Sequence, residues 1–308
     1  MKQIRIGTLA FTAVLLGLFM LSCSNDALEP RLRAGDGINI VIGDHLLIAS
    51  DDIAWYDSSS RQFYLNKSVE AELEQINYTK YWIVYNGAII FEGMFNDCKP
   101  CDGPYTDSLL IYNRLDMADF VVKLERSQCW YMGDPLVHDP RNSPQLIDAL
   151  KQNGQLKKGL SLTIENLVLK NDSVLNVRFL LHNNDDWNYY VLNPNVLTDN
   201  GLYDNKWRIT LIDSKKERSW NSINDLSRVY KYDSYYDIDK LLLLKAGETY
   251  QYEKEYTFRG FIEPGSYSVY YKYPGLGVEF KTIDETLLDD GRIWLGNNEN
   301  LVEIEIGK

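Results

Sequence analysis

The sequence predicts a mostly β protein with some α structure: a mixed α+β domain followed by an antiparallel β-sandwich. Three observations point there. From about Lys158 onward the chain alternates apolar and polar residues over long runs with no helical period, and Asn, Asp, Gly and Pro separate the runs. Before that point, short strand-like runs are interleaved with two stretches that carry helix-starting and helix-ending residues. Finally, 45% of the 308 residues are hydrophobic and no long polar tract interrupts them. A chain of this length can bury a sizeable core and form two domains.

The N-terminus reads as an address, not a fold element. Lys2 and Arg5 precede an apolar run from Ile6 to Leu21. That run is shorter than the roughly 20 residues needed to span a bilayer, and its flanks are those of an export signal. Ser22 before Cys23 resembles the cleavage site of bacterial lipoproteins, whose chain is cut before a cysteine that then carries lipid. The resemblance implies a signal peptide over 1–22, lipidation at Cys23 and a membrane partner held through the lipid. Two or three acyl chains at about 0.8 kcal/mol per buried CH2 anchor a protein stably. Ser24 after the cysteine resembles lipoproteins sorted to the outer membrane, and Asp26 and Glu29 resemble a thin form of the surface-export signal of the Bacteroides group. Residues 23–35, polar with Pro30 and Gly35, read as a tether. Removing Lys2 and Arg5 takes the formal charge below the −12 of the whole chain, which argues against a phosphate-backbone partner. No nucleic acid is expected.

The first domain, residues 36–156, opens with two hairpins, "INIVIGDHLLIA" around Gly43-Asp44 and "IAWYDSSSRQFYL" around Asp57 to Ser60. In "YWIVYNGAIIFEGMF", Asn86-Gly87 between β-rich runs is what a two-residue type I′ turn requires. "SVEAELEQI" reads as a short helix capped by Ser68, and "SLLIYN" and "FVVKLE" read as further strands. "NSPQLIDALKQNG" closes the block as a helix. Ser143 suits the N-cap, Pro144 the first turn and Gly154 the residue past the end, with Leu146, Ile147 and Leu150 on one face.

The second domain, residues 157–308, holds about seven strands, from "LSLTIENLVL" to "LVEIEIGK". "EPGSYSVYYKY" resembles the Pro-Gly-x-Tyr strand of Ig-like domains in bacterial envelope proteins, and "RIWLGNNENLVEIEI" resembles their Trp-x-Gly run before the last strand. The resemblance implies an Ig-like sandwich. It also implies a tyrosine corner at Tyr267, with the ring in the core and the hydroxyl on backbone.

Chemistry is harder to place. The three histidines, His45, His138 and His182, are scattered, and no HExxH, GxSxG or P-loop pattern appears. "GDPLVHDP" brings Asp134, His138 and Asp139 together. Carboxylate with imidazole can bind a metal, but Asp-Pro pairs also form helix-entry turns, and the turn is the expectation. "HNNDDW" (182–187) offers oxygen atoms without the spaced ligand ladder of a calcium loop, as does "LLDDGRIW" with Asp289, Asp290 and Gly291. The first of these is expected to be a solvated loop. No catalytic residue, metal or cofactor is assigned. "CKPC" resembles a thioredoxin-like dithiol, but "DGPY" follows it where that chemistry needs a helix start. Cys98 and Cys101 are therefore candidates for a loop-closing disulfide, and reduced thiols or a pairing with Cys129 stay open.

The chain carries 22 Tyr and 7 Trp. Several fall where loops are expected: Trp187, Tyr189 and Tyr190, and Tyr230, Tyr232, Tyr235 and Tyr236. Aromatic faces near carboxylates suit sugar rings and protein partners alike, so these seven residues are the candidate ligand-binding set. Ser108 and Ser173, each in an Asp-Ser-aliphatic triplet, resemble O-glycosylation acceptors of the Bacteroides group. The functional expectation is a non-enzymatic envelope lipoprotein that presents a protein- or glycan-binding surface. A protease-inhibitor or immunity-type lipoprotein is the alternative, and an envelope hydrolase the further one.

Overall fold

The computed structural model describes residues 35–44, 46–76, 79–96, 109–111, 118–125, 140–195, 209–213, 218–222, 241–273, 275–276 and 280–307. Cys23, Cys98, Cys101, Cys129, Ser108, Asp134, His138, Asp139, His45 and the four tyrosines from Tyr230 to Tyr236 lie outside them. The described residues are mostly strand and form four sheets.

The first half builds one nine-stranded sheet. Its strands are Ile38–Ile42 (β1), Leu46–Ile48 (β2), Ile53–Asp57 (β3), Gln62–Leu65 (β4), Thr79–Tyr85 (β5), Ala88–Asn96 (β6), Leu109–Ile111 (β7), Val121–Glu125 (β8) and Leu156–Lys157 (β9), in the order β2-β1-β5-β6-β7-β8-β4-β3-β9. Only β6 with β7 and β3 with β9 pair in parallel. The β5–β6 turn has Asn86 at φ 47 and Gly87 at φ 78, the left-handed pair that a type I′ turn needs. β1 and β4 are buried at every position, where the sequence suggested alternation. Such strands are covered on both faces.

The two helices differ in quality. Glu70–Leu73 (α1) is a single turn, and Val69, not Ser68, occupies its N-cap. Val69 is pulled into the core, with its N–H on the Asp119 carbonyl at 3.0 Å, so Ser68 is left to accept from Glu70 N at 3.4 Å. Pro144–Gln152 (α2) starts and stops as its sequence dictates. Ser143 Oγ accepts from Leu146 N at 3.3 Å, and Gly154 at φ 72 ends the helix with Gln155 N on Leu150 O at 2.9 Å. Leu146, Ala149 and Leu150 are the buried face. Gln155 then leads straight into β9, which pairs with β3 through Tyr56 and Asp57.

The second half contributes Leu160–Asn171 (β10), Val174–Asn183 (β11), Tyr189–Leu192 (β12), Ile209–Asp213 (β13), Arg218–Asn221 (β14), Leu241–Leu244 (β15), Thr249–Thr257 (β16), Gly265–Tyr273 (β17), Leu287–Leu288 (β18), Gly291–Ile293 (β19) and Asn298–Ile306 (β20). Sheets β10-β11-β16 and β14-β13-β17-β20 face each other. Phe179 from one lies 5.7 Å from Tyr271 of the other, whose hydroxyl donates to Leu162 O at 3.1 Å. Alternate residues of β11 (Leu175, Val177, Phe179, Leu181) and β17 (Tyr267, Val269, Tyr271, Tyr273) fill the space between, as period-two strands dictate. Tyr267 is buried, and its hydroxyl donates to Glu263 O at 2.7 Å, four residues upstream.

More strands are present than the seven expected. The unannounced strands are β14, β18 and β19, short segments that the run-length pattern cannot show, and the last two complete a third sheet, β15-β12-β19-β18. The run "LLLLKAGETYQYEKEYTF" is likewise two strands, β15 and β16, broken at Gly247 with φ 71.

Candidate functional site

The third sheet meets the β3–β4 hairpin, and polar and aromatic side chains from both halves gather along that seam. Asp57 ends β3 and is 1% exposed. Its Oδ1 accepts from Ser59 N at 2.8 Å, Ser59 Oγ at 2.7 Å and Ser60 N at 3.2 Å, the usual turn chemistry of Asp. Its Oδ2 accepts from Trp294 Nε1 at 2.8 Å, across 237 residues of sequence. Burial pushes the Asp57 carboxyl above its ordinary value, and the four hydrogen bonds offset only part of that.

Backbone closes over the same carboxylate. Ser58 N donates to Lys157 O at 3.0 Å, and Leu160 N donates to Ser59 Oγ at 3.1 Å. Gly159, at φ 68, passes so close that a Cβ there would sit 2.2 Å from both Asp57 Oδ1 and Ser59 Oγ. On the other side the Trp294 indole folds back over Gly296, where a Cβ would lie 2.3 Å from the ring. The Trp-x-Gly spacing thus has a local steric reason. A further ion pair, Lys281 Nζ to Asp119 Oδ2 at 2.8 Å, joins the halves at another point.

The loop 183–188 is not the solvated loop its composition suggested. Asn183 is fully buried, and its Nδ2 donates to the carbonyls of Trp187 (2.6 Å), Leu244 (3.2 Å) and Lys245 (3.1 Å). Asp185 accepts from Lys158 N at 2.7 Å, Gly159 N at 2.8 Å and the Tyr189 hydroxyl at 2.8 Å. These oxygens serve N–H and O–H donors, and among the described residues no cluster of metal-ligating side chains occurs. The loop staples the β9–β10 connection to β12.

Trp55 and Tyr64, opposite each other on β3 and β4, stack at 4.8 Å, and Trp187 meets Trp55 edge-on at 5.1 Å. Arg292 from β19 lies over Trp55 at 4.6 Å and 5.4 Å from Trp187, while Lys157 Nζ sits 3.8 Å from the centre of the Trp187 ring. Lys157 also pairs with the exposed Asp186 at 2.7 Å. Burial lowers the Arg292 guanidinium from its ordinary value, and nearby Tyr189, Asp284 and Tyr64 offset only part of the effect. Burial first, and the Asp57 charge second, hold the Tyr64 and Tyr189 phenols well above their usual range. At neutral pH both are protonated donors, and neither serves as a base.

Of the candidate ligand-binding set, Trp187, Tyr189 and Tyr190 fall on the described residues. Tyr189 is 2% exposed with its hydroxyl engaged by Asp185, so its surface belongs to the core. Tyr190 lies partly buried on β12, and Trp187 is partly buried in the seam. Ser173 sits at the β10–β11 turn, its hydroxyl on Asn171 Oδ1 at 3.3 Å. Asp290 contributes its carbonyl to Asn188 Nδ2 at 2.7 Å in the β18–β19 turn. Sequence reasoning did not pick out Trp55, Lys157 or Arg292, and it read Asp57 only as a turn residue and Trp294 only as part of the Trp-x-Gly run. Each is ordinary in its own segment, and only pairing across more than a hundred residues brings them together.

No family model matches the chain, and no curated protein matches it. Among solved structures, a beta-glucosidase from Listeria innocua in complex with isofagomine is similar at 15% identity over 48% of this chain and 16% of that one, with a TM-score of 0.21. A mutant of a Listeria innocua beta-glucosidase in complex with laminaribiose matches with the same identity and coverage and a TM-score of 0.22. The matched stretch is about a sixth of the length of those chains. A likeness this distant carries no argument about activity.

Proposed function

We propose that the protein is a non-enzymatic, lipid-anchored envelope protein whose second half is an Ig-like sandwich and whose seam presents a ligand-binding surface. The observation that carries this reading is the convergence of Trp187, Trp55, Lys157 and Arg292 at a partly open seam. Flat indole surface beside cationic donors suits recognition of a partner or glycan. The carboxylate beside them, Asp57, already accepts four hydrogen bonds and is sealed from water, which suits a structural role and not acid–base chemistry. Strand pairing supports the Ig-like assignment. The three-stranded β10-β11-β16 sheet and the β14-β13-β17-β20 sheet follow the order of the two Ig sheets, and Tyr267 bonds as a tyrosine corner does.

The anchor rests on Cys23 and the run before it. Mass spectrometry of the N-terminal peptide is expected to show acylated Cys23, and a Cys23→Ala protein that stays in the membrane fraction overturns the anchor. For binding, a glycan array and a pull-down with the full chain are expected to give ligands that Trp187→Ala loses. Retention of every ligand by Trp187→Ala overturns the seam as the binding surface.

A further inference from the structure

The chain contains Asn-Gly three times, at 86–87, 153–154 and 200–201, and the last lies outside the described residues. Asparagine before glycine is prone to lose ammonia, because no Cβ hinders attack of the glycine nitrogen on the asparagine side chain. Asn86 and Asn153 are both exposed, so access to water does not separate them. Their hydrogen bonds do.

Asn153 follows the last turn of α2 and is tied at both nitrogens that would react. Its Nδ2, the leaving group, donates to Gln155 Oε1 at 2.6 Å and Ser50 Oγ at 3.0 Å. Gly154 N, the nucleophile, donates to Lys151 O at 3.1 Å. Reaction there requires the end of α2 to open and both side-chain bonds to break.

Asn86 is arranged the other way. Neither its Nδ2 nor Gly87 N has an acceptor among the described residues, and a Cβ at Gly87 would meet nothing within 4 Å. What is held is the side-chain carbonyl: Asn86 Oδ1 accepts from Gly37 N at 2.8 Å, while Asn86 N donates to Gly37 O at 3.1 Å. The Gly37 N–H thus faces the oxygen that takes up negative charge when Cγ is attacked, and a fixed backbone donor stabilises such an intermediate.

We infer that Asn86 is a site of spontaneous deamidation in the folded protein and that Asn153, with the same neighbour, is protected. Asn86 and Gly87 start in left-handed conformations, at φ 47 and φ 78. Rotation about the Asn86 Cα–C bond brings Gly87 N toward Cγ and leaves both Gly37 bonds in place, so only the tip of the hairpin has to open. Gly87 N gives its proton to solvent and bonds to Cγ, the side-chain nitrogen takes up a proton and leaves as ammonia, and a succinimide remains. Water then opens the ring at either carbonyl, to aspartate or isoaspartate. The isoaspartyl product lengthens the backbone of a two-residue turn by one atom and so loosens its hold on Gly37, where the chain enters β1.

The test is ageing of the full chain in detergent and mildly alkaline buffer, followed by peptide mass spectrometry with an isoaspartyl methyltransferase as label. In the folded protein the Asn86 peptide is expected to gain one mass unit about tenfold faster than the Asn153 peptide, or more. In urea the two are expected to react at similar rates, which ties the difference to the fold. Gly87→Ala is expected to slow Asn86 about tenfold, with Asn153 in the same sample as the internal standard and circular dichroism to show that the variant has folded. Equal rates at the two sites in the folded protein, or faster reaction at Asn153, overturn the inference. So does an Asn86 peptide that reacts in urea but stays intact in the folded chain. A folded Gly87→Ala protein that loses ammonia from Asn86 as fast as wild type overturns the attack by Gly87 N.

Discussion

Asp57 and Arg292 face the same seam from opposite halves of the chain, and both act on the Tyr64 phenol between them. They are handled in opposite ways. Asp57 is buried and accepts four hydrogen bonds, one of them from Trp294 in the other half. Arg292 is partly buried, lies against aromatic rings and, among the described residues, donates only through Nη1. A buried charge that is fully paired is costly to disturb, whereas a half-paired charge nearer the surface costs less to replace because water can take over part of its hydrogen bonding. The seam therefore separates a latch that holds the halves together from a charge that is only half paired.

Breaking the latch is expected to cost far more than breaking the frame. Gly159→Ala should have the largest effect, about 4 kcal/mol, because its Cβ collides with Asp57 and Ser59 at a left-handed φ. Urea unfolding measures it, and a loss comparable to an ordinary surface substitution removes the latch from the argument. Trp294→Phe keeps a ring over Gly296 but removes the indole N–H from the Asp57 carboxylate, at a cost of about 2 kcal/mol in the same assay.

The latch also has a pH signature. The Asp57 carboxyl lies above its ordinary value of 3.8 in the folded protein, so between those two values the folded state holds more protons than the unfolded one. The stability that Asp57 contributes is fully present below its unfolded value and is lost as pH rises through the folded one. Wild type should accordingly gain stability on acidification across that window relative to Asp57→Asn, and parallel stability curves for the two proteins speak against the assignment.

Tyr267→Phe calibrates the seam against a hydrogen bond elsewhere. Loss of the bond to Glu263 O should cost about 1 kcal/mol, roughly half the effect of Trp294→Phe. The smallest change is expected for Arg292→Lys, within about 1 kcal/mol, because an ammonium keeps its charge near Trp55 and can still donate to Ile283 O or Thr286 Oγ1. A cost several times larger makes Arg292 part of the latch and closes the distinction.

Local pattern carried much of the fold into view. Asn86-Gly87 announced its turn because few residue pairs accept two consecutive left-handed conformations, and Ser143, Pro144 and Gly154 announced both ends of α2 for similarly local reasons. Tyr267 was placed by the resemblance of its strand to those of Ig-like domains and not by local pattern, and its hydroxyl bonds Glu263 O four residues back. The third sheet was not legible. Its strands β18 and β19 have two and three residues, too few to display a period, and β19 pairs in parallel with β12 about a hundred residues earlier. The polar loop 183–188 was misjudged for the same reason: Asn183 and Asp185 look solvated until their partners arrive from residues 157–159 and 244–245.

By itself the sequence determined what short range can determine, namely strand and helix periodicity, turn chemistry and a mostly β character, since those depend on neighbours a few residues apart. The tertiary structure decided which charges are latch and which are open. Asp57 in the sequence "YDSSS" and Arg292 in "GRIW" carry no mark of their fate. Whether a charge is sealed and saturated or framed and available depends on desolvation and on donors brought from the far side of the chain, and neither exists until the sheets have packed.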